Sequence, residues 1–208
     1  MLVFAKAPIV GEVKTRLFRV LGADAATSLY RRLVRHALTV AGEADVGRVE
    51  LWCGSNAAHP FFSWCAQHYE VTLREQRSGD LGARMHDALE STLRQSDRAV
   101  LMGADCPTLT PACLRQSDFW LRTDCELVLG PAEDGGYVLI GMKAAWREVF
   151  HGVSWGSGDV LRKTRRCLAE TGRSWRELPV AWDVDRAEDY RRMVTEGRLK
   201  QLPPDQAG

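Results

Sequence analysis

One carboxylate, Asp105, stands directly after an apolar run that is typical of a buried strand. Residues 100–103 read Val-Leu-Met-Gly, and Pro107 prevents the strand from continuing. In an open α/β sheet, ligands bind beyond the carboxyl ends of the strands, where an aspartate can hold a divalent cation against the phosphates of a nucleotide. The alternative is that Asp105 only caps a turn, because turns favour aspartate for its local hydrogen bonds.

A cationic loop follows the first apolar run of the chain. Lys6, Lys14 and Arg16 lie in this loop, with Gly11 between them. Backbone N–H groups of such a loop can bind phosphate, and the Lys and Arg side chains can neutralise it. The spacing is neither that of a Walker loop nor G-x-G-x-x-G, so a solvated basic loop is the alternative.

A second glycine-containing turn spans residues 76–85 and joins a predicted strand to a predicted helix. Gln76 opens it, and Gly79 and Gly82 allow the backbone to approach a planar or charged ligand closely. Asp80 is a plausible N-cap of the helix. An ordinary capped turn would explain the same residues.

Further carboxylates follow in two places. Residues 130–137 contain Asp-Gly-Gly between two strand-like runs, which predicts a hairpin, while Glu133 and Asp134 could receive a substrate hydroxyl or assist a metal. Asp183 and Asp185 alternate after a late strand, and either could complete a metal site with Asp105. The alternative for Asp185 is a helix cap.

One tryptophan, Trp155, lies in a loop containing several glycines and could line an acceptor pocket. A tryptophan in such a loop can equally serve packing.

Charge and cysteine usage limit the classes of partner. The chain has 208 residues, with 28 Lys and Arg against 27 Asp and Glu, and a net charge of +1. This balance gives no indication of a nucleic acid or a membrane surface as partner. No apolar run reaches the length of a membrane span, and the six cysteines form no C-x-x-C pair. We therefore expect free thiols in a cytoplasmic protein.

The elements that must position these residues alternate between strand and helix. This order predicts a three-layer α/β/α fold with a mostly parallel, mixed central sheet, in which the closely spaced strands 126–130 and 137–142 pair antiparallel. We expect one domain over residues 1–200 and a disordered tail over 201–208. Predicted strands are 2–5, 49–53, 71–75, 98–103, 126–130, 137–142 and 175–180, and predicted helices are 24–41, 60–69, 81–93, 111–122, 144–150, 159–171 and 187–196.

Taken in order, the motifs resemble a known family. They are K-A-P-x-x-G-x-V-K-T-R-L, G-D-L-G-x-R-M, G-A-D-C-P, G-P-A-x-D-G-G-Y-x-L-I-G and W-D-V-D, and together they extend over nearly the whole chain. The chain resembles the bacterial glycosyltransferase A (GT-A) group called transferase 1, associated with radical-SAM and selenodomain proteins. That group is similar to the nucleotidyltransferases of molybdenum cofactor and phospholactate guanylylation.

The resemblance implies a nucleotide-diphospho-sugar transferase fold and a role for each motif. Asp105 would hold Mg²⁺ or Mn²⁺ in place of the D-x-D motif, with Asp185 preferred to Asp183 as the second ligand. The implied residues are Lys6, Gly11, Lys14, Arg16, Gln76, Gly79, Asp80 and Gly82 for the nucleotide, Asp134, Gly135, Gly136 and Trp155 for the acceptor, and Asp105, Lys14 and Asp134 for catalysis.

The sequence therefore predicts a metal-dependent transferase that uses a nucleotide. Glycosyl transfer from a sugar nucleotide to a small acceptor is the expected reaction. The alternatives are nucleotidyl transfer, which releases pyrophosphate from a nucleoside triphosphate, and a non-catalytic nucleotide-binding module. We expect a monomer or homodimer with no nucleic-acid partner.

Overall fold

The computed structural model describes residues 1–205 of the chain, and its strands form a single sheet. The strand order is β3-β2-β1-β4-β6-β5-β7, and every pairing is parallel except those of β6 with β4 and β5. The mixed sheet and its antiparallel pair therefore confirm the predicted fold class. The strands are β1 Leu2–Lys6, β2 Glu50–Gly54, β3 Thr72–Glu75, β4 Ala99–Gly103, β5 Leu127–Pro131, β6 Tyr137–Met142 and β7 Trp175–Glu177.

Helices cover both faces of this sheet. They are α1 Phe18–Leu21, α2 Ala23–Ala44, α3 Pro60–Tyr69, α4 Leu81–Leu93, α5 Pro111–Thr123, α6 Val160–Glu170, α7 Ala187–Thr195 and α8 Arg198–Gln201. Alternate side chains of a strand point to opposite faces. Accordingly Val100 packs in the cluster that contains residues of α2, α3 and α5, whereas Leu101 packs with residues of α4 and α6. One core lies on each face of the sheet, between the strands and the helices, which gives the three layers α/β/α.

Two predicted helix limits are wrong, and each has a local reason. Gly42 was expected to stop α2, but the helix continues to Ala44 and ends at Asp45, whose left-handed backbone closes it. The predicted helix over 144–150 is only a short 3-10 turn, Arg147–Val149. Trp146 and Phe150, on either side of this turn, pack against the core on the α4 and α6 face.

The C-terminal segment packs against α2 as far as residue 205. Leu202 is 4% exposed, the Arg32 guanidinium donates to the Pro203 carbonyl at 2.8 Å, and Arg31 pairs with Asp205 at 2.5 Å. The expected disordered tail is therefore wrong for residues 201–205, because α2 supplies arginines that bind the segment. Residues 206–208 of that prediction lie outside the described residues.

A third, smaller core joins distant parts of the chain. Leu17, Trp182, Val184 and Leu202 all belong to it, so the first loop, the late acidic segment and the C-terminal segment pack on one another. Within residues 1–205, no helix is both long enough and apolar enough to cross a bilayer.

Candidate active site

The order of the strands reverses between β1 and β4, and a cavity of about 520 Å³ opens at the carboxyl ends of these strands. Such a reversal is where open α/β sheets bind ligands. The structure brings six of the predicted site residues into the lining of this cavity: Lys6, Lys14, Arg16, Gln76, Asp105 and Asp185. Sequence reasoning missed Arg84, and it ranked Asp183 behind Asp185, yet both also line it.

Lys14 and Asp105 meet across the cavity. The Lys14 ammonium lies 2.8 Å from a carboxylate oxygen of Asp105, although the two residues are 91 positions apart in sequence. The Lys14 side chain is only 5% exposed, whereas that of Asp105 is 40% exposed and faces the opening. Burial opposes ionisation of Asp105, but Lys14, with a further contribution from Lys6, holds the pKa of this carboxyl below its usual range.

Lys14 is placed by an unusual backbone. Its φ of 51° and ψ of 37° lie in the left-handed region, which residues other than glycine rarely adopt. This conformation ends the loop after β1 and starts the short 3-10 turn Thr15–Leu17, whose Leu17 is fully buried. The buried leucine therefore anchors the loop that carries the Lys14 ammonium group.

The two late aspartates have different surroundings. Asp185 forms an ion pair with Arg16, so its charge is already matched. Asp183 carries a pKa raised to about 6, because it is buried and because Asp105 and Asp134 place negative charge near it. The backbone N–H of Val184 donates to the Asp105 carbonyl at 3.0 Å, which fixes the two acidic segments together.

Asp185 does not cap α7, which was the alternative role expected for it from the sequence. The Asp189 carboxylate accepts from the backbone N–H groups of Asp185 and Arg186, at 3.0 and 2.6 Å, and so closes the start of α7.

A divalent cation fits this set of donors. Mg²⁺ is commonly bound by one or two carboxylates while substrate phosphates supply further oxygens. Asp105 and Asp183 provide two carboxylates at one wall, and their mutual repulsion is what a cation would relieve. Among residues 1–205, no group of three or more His, Cys, Asp or Glu side chains is arranged to hold a metal.

The opposite end of the cavity is built around Gln76. Its side-chain N–H donates to the Trp52 carbonyl at 2.7 Å, and its side-chain oxygen accepts from Arg84 at 2.9 Å. Gly54 leaves the space for this side chain, since a Cβ there would lie 3.0 Å from the Gln76 oxygen. Arg84 could have been found as the residue one helical turn after the N-cap Asp80.

Four predicted nucleotide-binding residues do not line the cavity, and each of them has a structural role. Asp80 accepts from the Ala83 N–H at 2.8 Å and caps α4, as predicted from sequence. A Cβ on Gly82 would lie 2.5 Å from the indole nitrogen of Trp155, so this glycine is required for packing. The other two glycines of this set, Gly11 and Gly79, have φ of +92° and +129°, which favours glycine at these turns.

The predicted acceptor residues lie beside the cavity rather than in its lining. The Asp134 carboxylate accepts from the Gly136 N–H at 2.8 Å within the β5–β6 turn. Gly135 packs on the backbone of residue 158, because a Cβ there would lie 2.1 Å from that carbonyl oxygen. Trp155 meets Tyr137 edge to face at 6.2 Å, and Tyr137 itself lines the cavity.

Solved structures with the same fold extend over nearly the whole chain. A protein of Desulfovibrio desulfuricans G20, provisionally named a nucleotide-diphospho-sugar transferase, is 28% identical with a TM-score of 0.81, and 96% of each chain is covered. Mth528 of Methanothermobacter thermautotroptrophicus, a nucleotidyl transferase, is 15% identical with a TM-score of 0.64, covering 96% of this chain and 97% of that one. Rv0371C of Mycobacterium tuberculosis H37Rv, solved with manganese, is 22% identical with a TM-score of 0.52, covering 93% and 97%.

The fold is therefore that of the nucleotide-diphospho-sugar transferase-like proteins, as the sequence resemblance implied. The chain belongs to the DUF2064 family, described as an uncharacterized protein conserved in bacteria, whose profile matches residues 37–157. The chain has no significant match among curated proteins.

Proposed function

We propose that the protein is a divalent-metal-dependent transferase that uses a nucleotide as donor, and that it transfers a glycosyl group from a sugar nucleotide to a small acceptor. The observation that carries the proposal is the contact between Lys14 and Asp105 at the reversal of strand order. The Lys14 ammonium and the Asp105 carboxylate face the same cavity there. The ammonium suits a phosphate, and the carboxylate suits a divalent cation bound to that phosphate.

The cations act on the phosphates of the donor. Lys6, Lys14 and Arg16 line one side of the cavity, and they offset the charge that grows on the leaving phosphate as its bond breaks. On donor binding, Lys14 would exchange its contact with Asp105 for one with a phosphate oxygen. This exchange frees the Asp105 carboxylate for a cation.

The carboxylates act on the metal. Asp105 and Asp183 would hold Mg²⁺ or Mn²⁺, with Asp185 kept on Arg16 as a positioning pair. When bound, the cation would neutralise the phosphate oxygens as a Lewis acid. The manganese complex of the similar mycobacterial protein supports this choice of cofactor.

The acceptor would enter beside the β5–β6 turn. Asp134 is exposed there, and after burial and Asp105 its charge contributes to the raised pKa of Asp183. We therefore assign Asp134 to the acceptor hydroxyl, with Gly135, Gly136 and Trp155 shaping its entrance. The provisional name of the 28%-identical Desulfovibrio protein supports a sugar nucleotide as donor.

The products test the reaction. The protein is incubated with Mn²⁺ and a panel of sugar nucleotides and acceptors, or with nucleoside triphosphates. Release of nucleoside diphosphate is expected, whereas release of pyrophosphate would establish nucleotidyl transfer instead. Binding of nucleotides without any turnover would identify a non-catalytic module.

A pair of matched variants tests the site. Asp105→Asn keeps the shape of the side chain and removes its charge, so turnover should fall by about 10²- to 10³-fold. Asp118→Asn is the control, because Asp118 pairs with Arg98 at the opposite edge of the sheet, outside this cavity. Metal-dependent turnover that survives Asp105→Asn would refute the assignment.

A further inference from the structure

The end of the cavity remote from Asp105 offers hydrogen-bond donors. Arg84 uses one terminal nitrogen on the Gln76 oxygen at 2.9 Å, and its Nε makes a long contact of 3.4 Å to the Asp80 carbonyl. Within the part of the chain that the structure describes, the second terminal nitrogen of Arg84 has no hydrogen-bond partner, and both residues line the cavity. An arginine has donors only, five of them on a planar fork.

Gln76 is held so that it adds to this pattern. Its oxygen is occupied by Arg84, and its nitrogen is anchored to the Trp52 carbonyl at 2.7 Å with one N–H left over. The amide therefore cannot rotate to present its oxygen to a ligand without breaking both contacts. The acidic residues that line the cavity all follow strands other than β3; they are Glu12, Asp105, Asp183 and Asp185.

The spacing of the strands matches the length of a nucleotide. Gln76 follows β3 and Asp105 follows β4, and three strand-to-strand steps separate these strands in the sheet. Neighbouring strands lie about 4.8 Å apart, so the two residues are on the order of 14 Å apart along the sheet edge. A nucleoside diphosphate whose phosphates lie at Asp105 therefore brings its base to Gln76 and Arg84.

The walls at this end suit a flat ring. Phe4, Leu81 and Met85 line the cavity together with Arg84. Apolar walls with a few fixed polar groups are the usual composition of a site that orients a small molecule.

Resting on the proposed function, we infer that Arg84, positioned by Gln76, selects uracil or guanine nucleotides over cytosine or adenine nucleotides. The selected bases carry a carbonyl at C4 of the pyrimidine or C6 of the purine, where the other two carry an amino group. An oxygen accepts from the Arg84 fork. An amino group would place its own N–H opposite the N–H groups of Arg84, and both sets of donors would then lack an acceptor.

Calorimetric titration tests this with UDP, GDP, CDP and ADP, each with Mn²⁺, and with pyrophosphate as a probe of the phosphate end. UDP or GDP should bind at least tenfold more tightly than CDP and ADP. Which of the two binds more tightly identifies whether one ring or two fit between the apolar walls. Arg84→Met should reduce the preference to less than threefold and leave pyrophosphate affinity unchanged.

Two further variants keep the test independent of folding. Gln76→Glu keeps the shape of the side chain but replaces the N–H that donates to the Trp52 carbonyl with a carboxylate oxygen. The new negative charge draws the Arg84 guanidinium towards residue 76 and away from a ligand, so the variant should also reduce the preference for uracil and guanine nucleotides. Arg77→Met is the matched control, since Arg77 is 78% exposed, pairs with Asp87 and does not line this cavity, and it should retain the preference.

The failures are distinguishable. Equal binding of all four nucleotides, stronger binding of CDP or ADP, or an unchanged preference in Arg84→Met would overturn this inference and leave the proposed function standing. Absence of binding by every nucleotide and by pyrophosphate would overturn both.

Discussion

The two edges of the sheet each carry a polar cavity, and the larger cavity is not the candidate site. The cavity at the amino ends of the strands has about 620 Å³, against about 520 Å³ at the carboxyl ends. In the larger one the two half-buried carboxylates, Glu50 and Asp118, have close partners. The Glu50 carboxylate accepts from Trp52, Arg74 and Thr92 at 2.9, 3.2 and 2.9 Å.

The carboxyl edge differs because its charges are only partly matched. Asp183 has a raised pKa beside two other carboxylates, and Arg84 keeps an unused donor. Buried polar groups in a folded chain are normally satisfied, so a cavity with unmatched charge marks a place that a ligand completes. The half-buried carboxylates of the two cavities are therefore matched to different degrees, and this distinguishes the cavities better than their volumes do.

The largest expected effect is at the phosphate end. Lys14→Met should weaken the binding of a nucleoside diphosphate by about 10- to 100-fold, because a hydrogen bond to a charged group contributes about 1.5–3 kcal/mol. Arg98→Met at the amino edge should leave that affinity unchanged while reducing stability, since Asp118, 14% exposed, loses its contact of 2.5 Å and keeps the longer one of 3.8 Å with Arg122. Equal affinities for the two variants would show that the charges of the two edges do not differ in function.

The amino edge should respond in stability instead of binding. Glu50→Ala removes the acceptor of three donors and should lower the free energy of unfolding by about 1–3 kcal/mol, measured by urea denaturation. Glu75→Ala, at the exposed end of β3, is the control and should change it by less than about 0.5 kcal/mol. Loss of nucleotide binding in Glu50→Ala at full folding would contradict the division between the edges.

A packing variant beside the carboxyl edge, Gly82→Ala, should lower the free energy of unfolding by about 1–3 kcal/mol. Gly82→Ala places a Cβ 2.5 Å from the Trp155 indole nitrogen, and overpacking of this size should lower the thermal midpoint. Gly42→Ala is the matched control, because it lies within α2, no atom is within 4 Å of its Cβ, and it should stabilise the helix by about 0.5–1 kcal/mol. A stable Gly82→Ala would mean that Trp155 moves away at little cost.

The smallest effect is on an exposed ion pair away from both cavities. A hydrogen bond from Arg165 lowers the pKa of Glu177. A lowered pKa stabilises the fold above the ordinary value, about 4.3, and this contribution is lost as pH falls through the folded-state value. Glu177→Gln should therefore cost about 0.5 kcal/mol at pH 7 and progressively less as the pH is lowered, in paired urea denaturations. If the difference in unfolding free energy between the variant and the wild type grew as the pH fell, the assumed contribution of this ion pair would be wrong.

The fold could be predicted because its signals are local. The helix Leu81–Leu93 begins after Asp80 as expected, and the strand Tyr137–Met142 has its predicted limits. Alternation of such elements is sufficient to indicate a mostly parallel sheet. The helix predicted over 144–150 failed because Trp146 and Phe150 are held by the core rather than by helical periodicity.

The site could be predicted only in part, because its contacts join distant residues. Asp105 and Lys14 were each found from local context, and both line the cavity. The choice between Asp183 and Asp185 depends on Arg16, which lies 169 positions from the aspartate it binds. No local pattern encodes such a pairing, and the role of Gly82 under Trp155 was hidden for the same reason.

The small core of Leu17, Trp182, Val184 and Leu202 determines when the site can be completed during synthesis. Lys14 and Asp105 are synthesised before Trp182, Val184 and Leu202, which support the loop of one and the backbone of the other. A nascent chain stopped before residue 182 has the loop that carries Lys14 without this support. The proposed site can therefore form completely only in chains whose translation has passed residue 202.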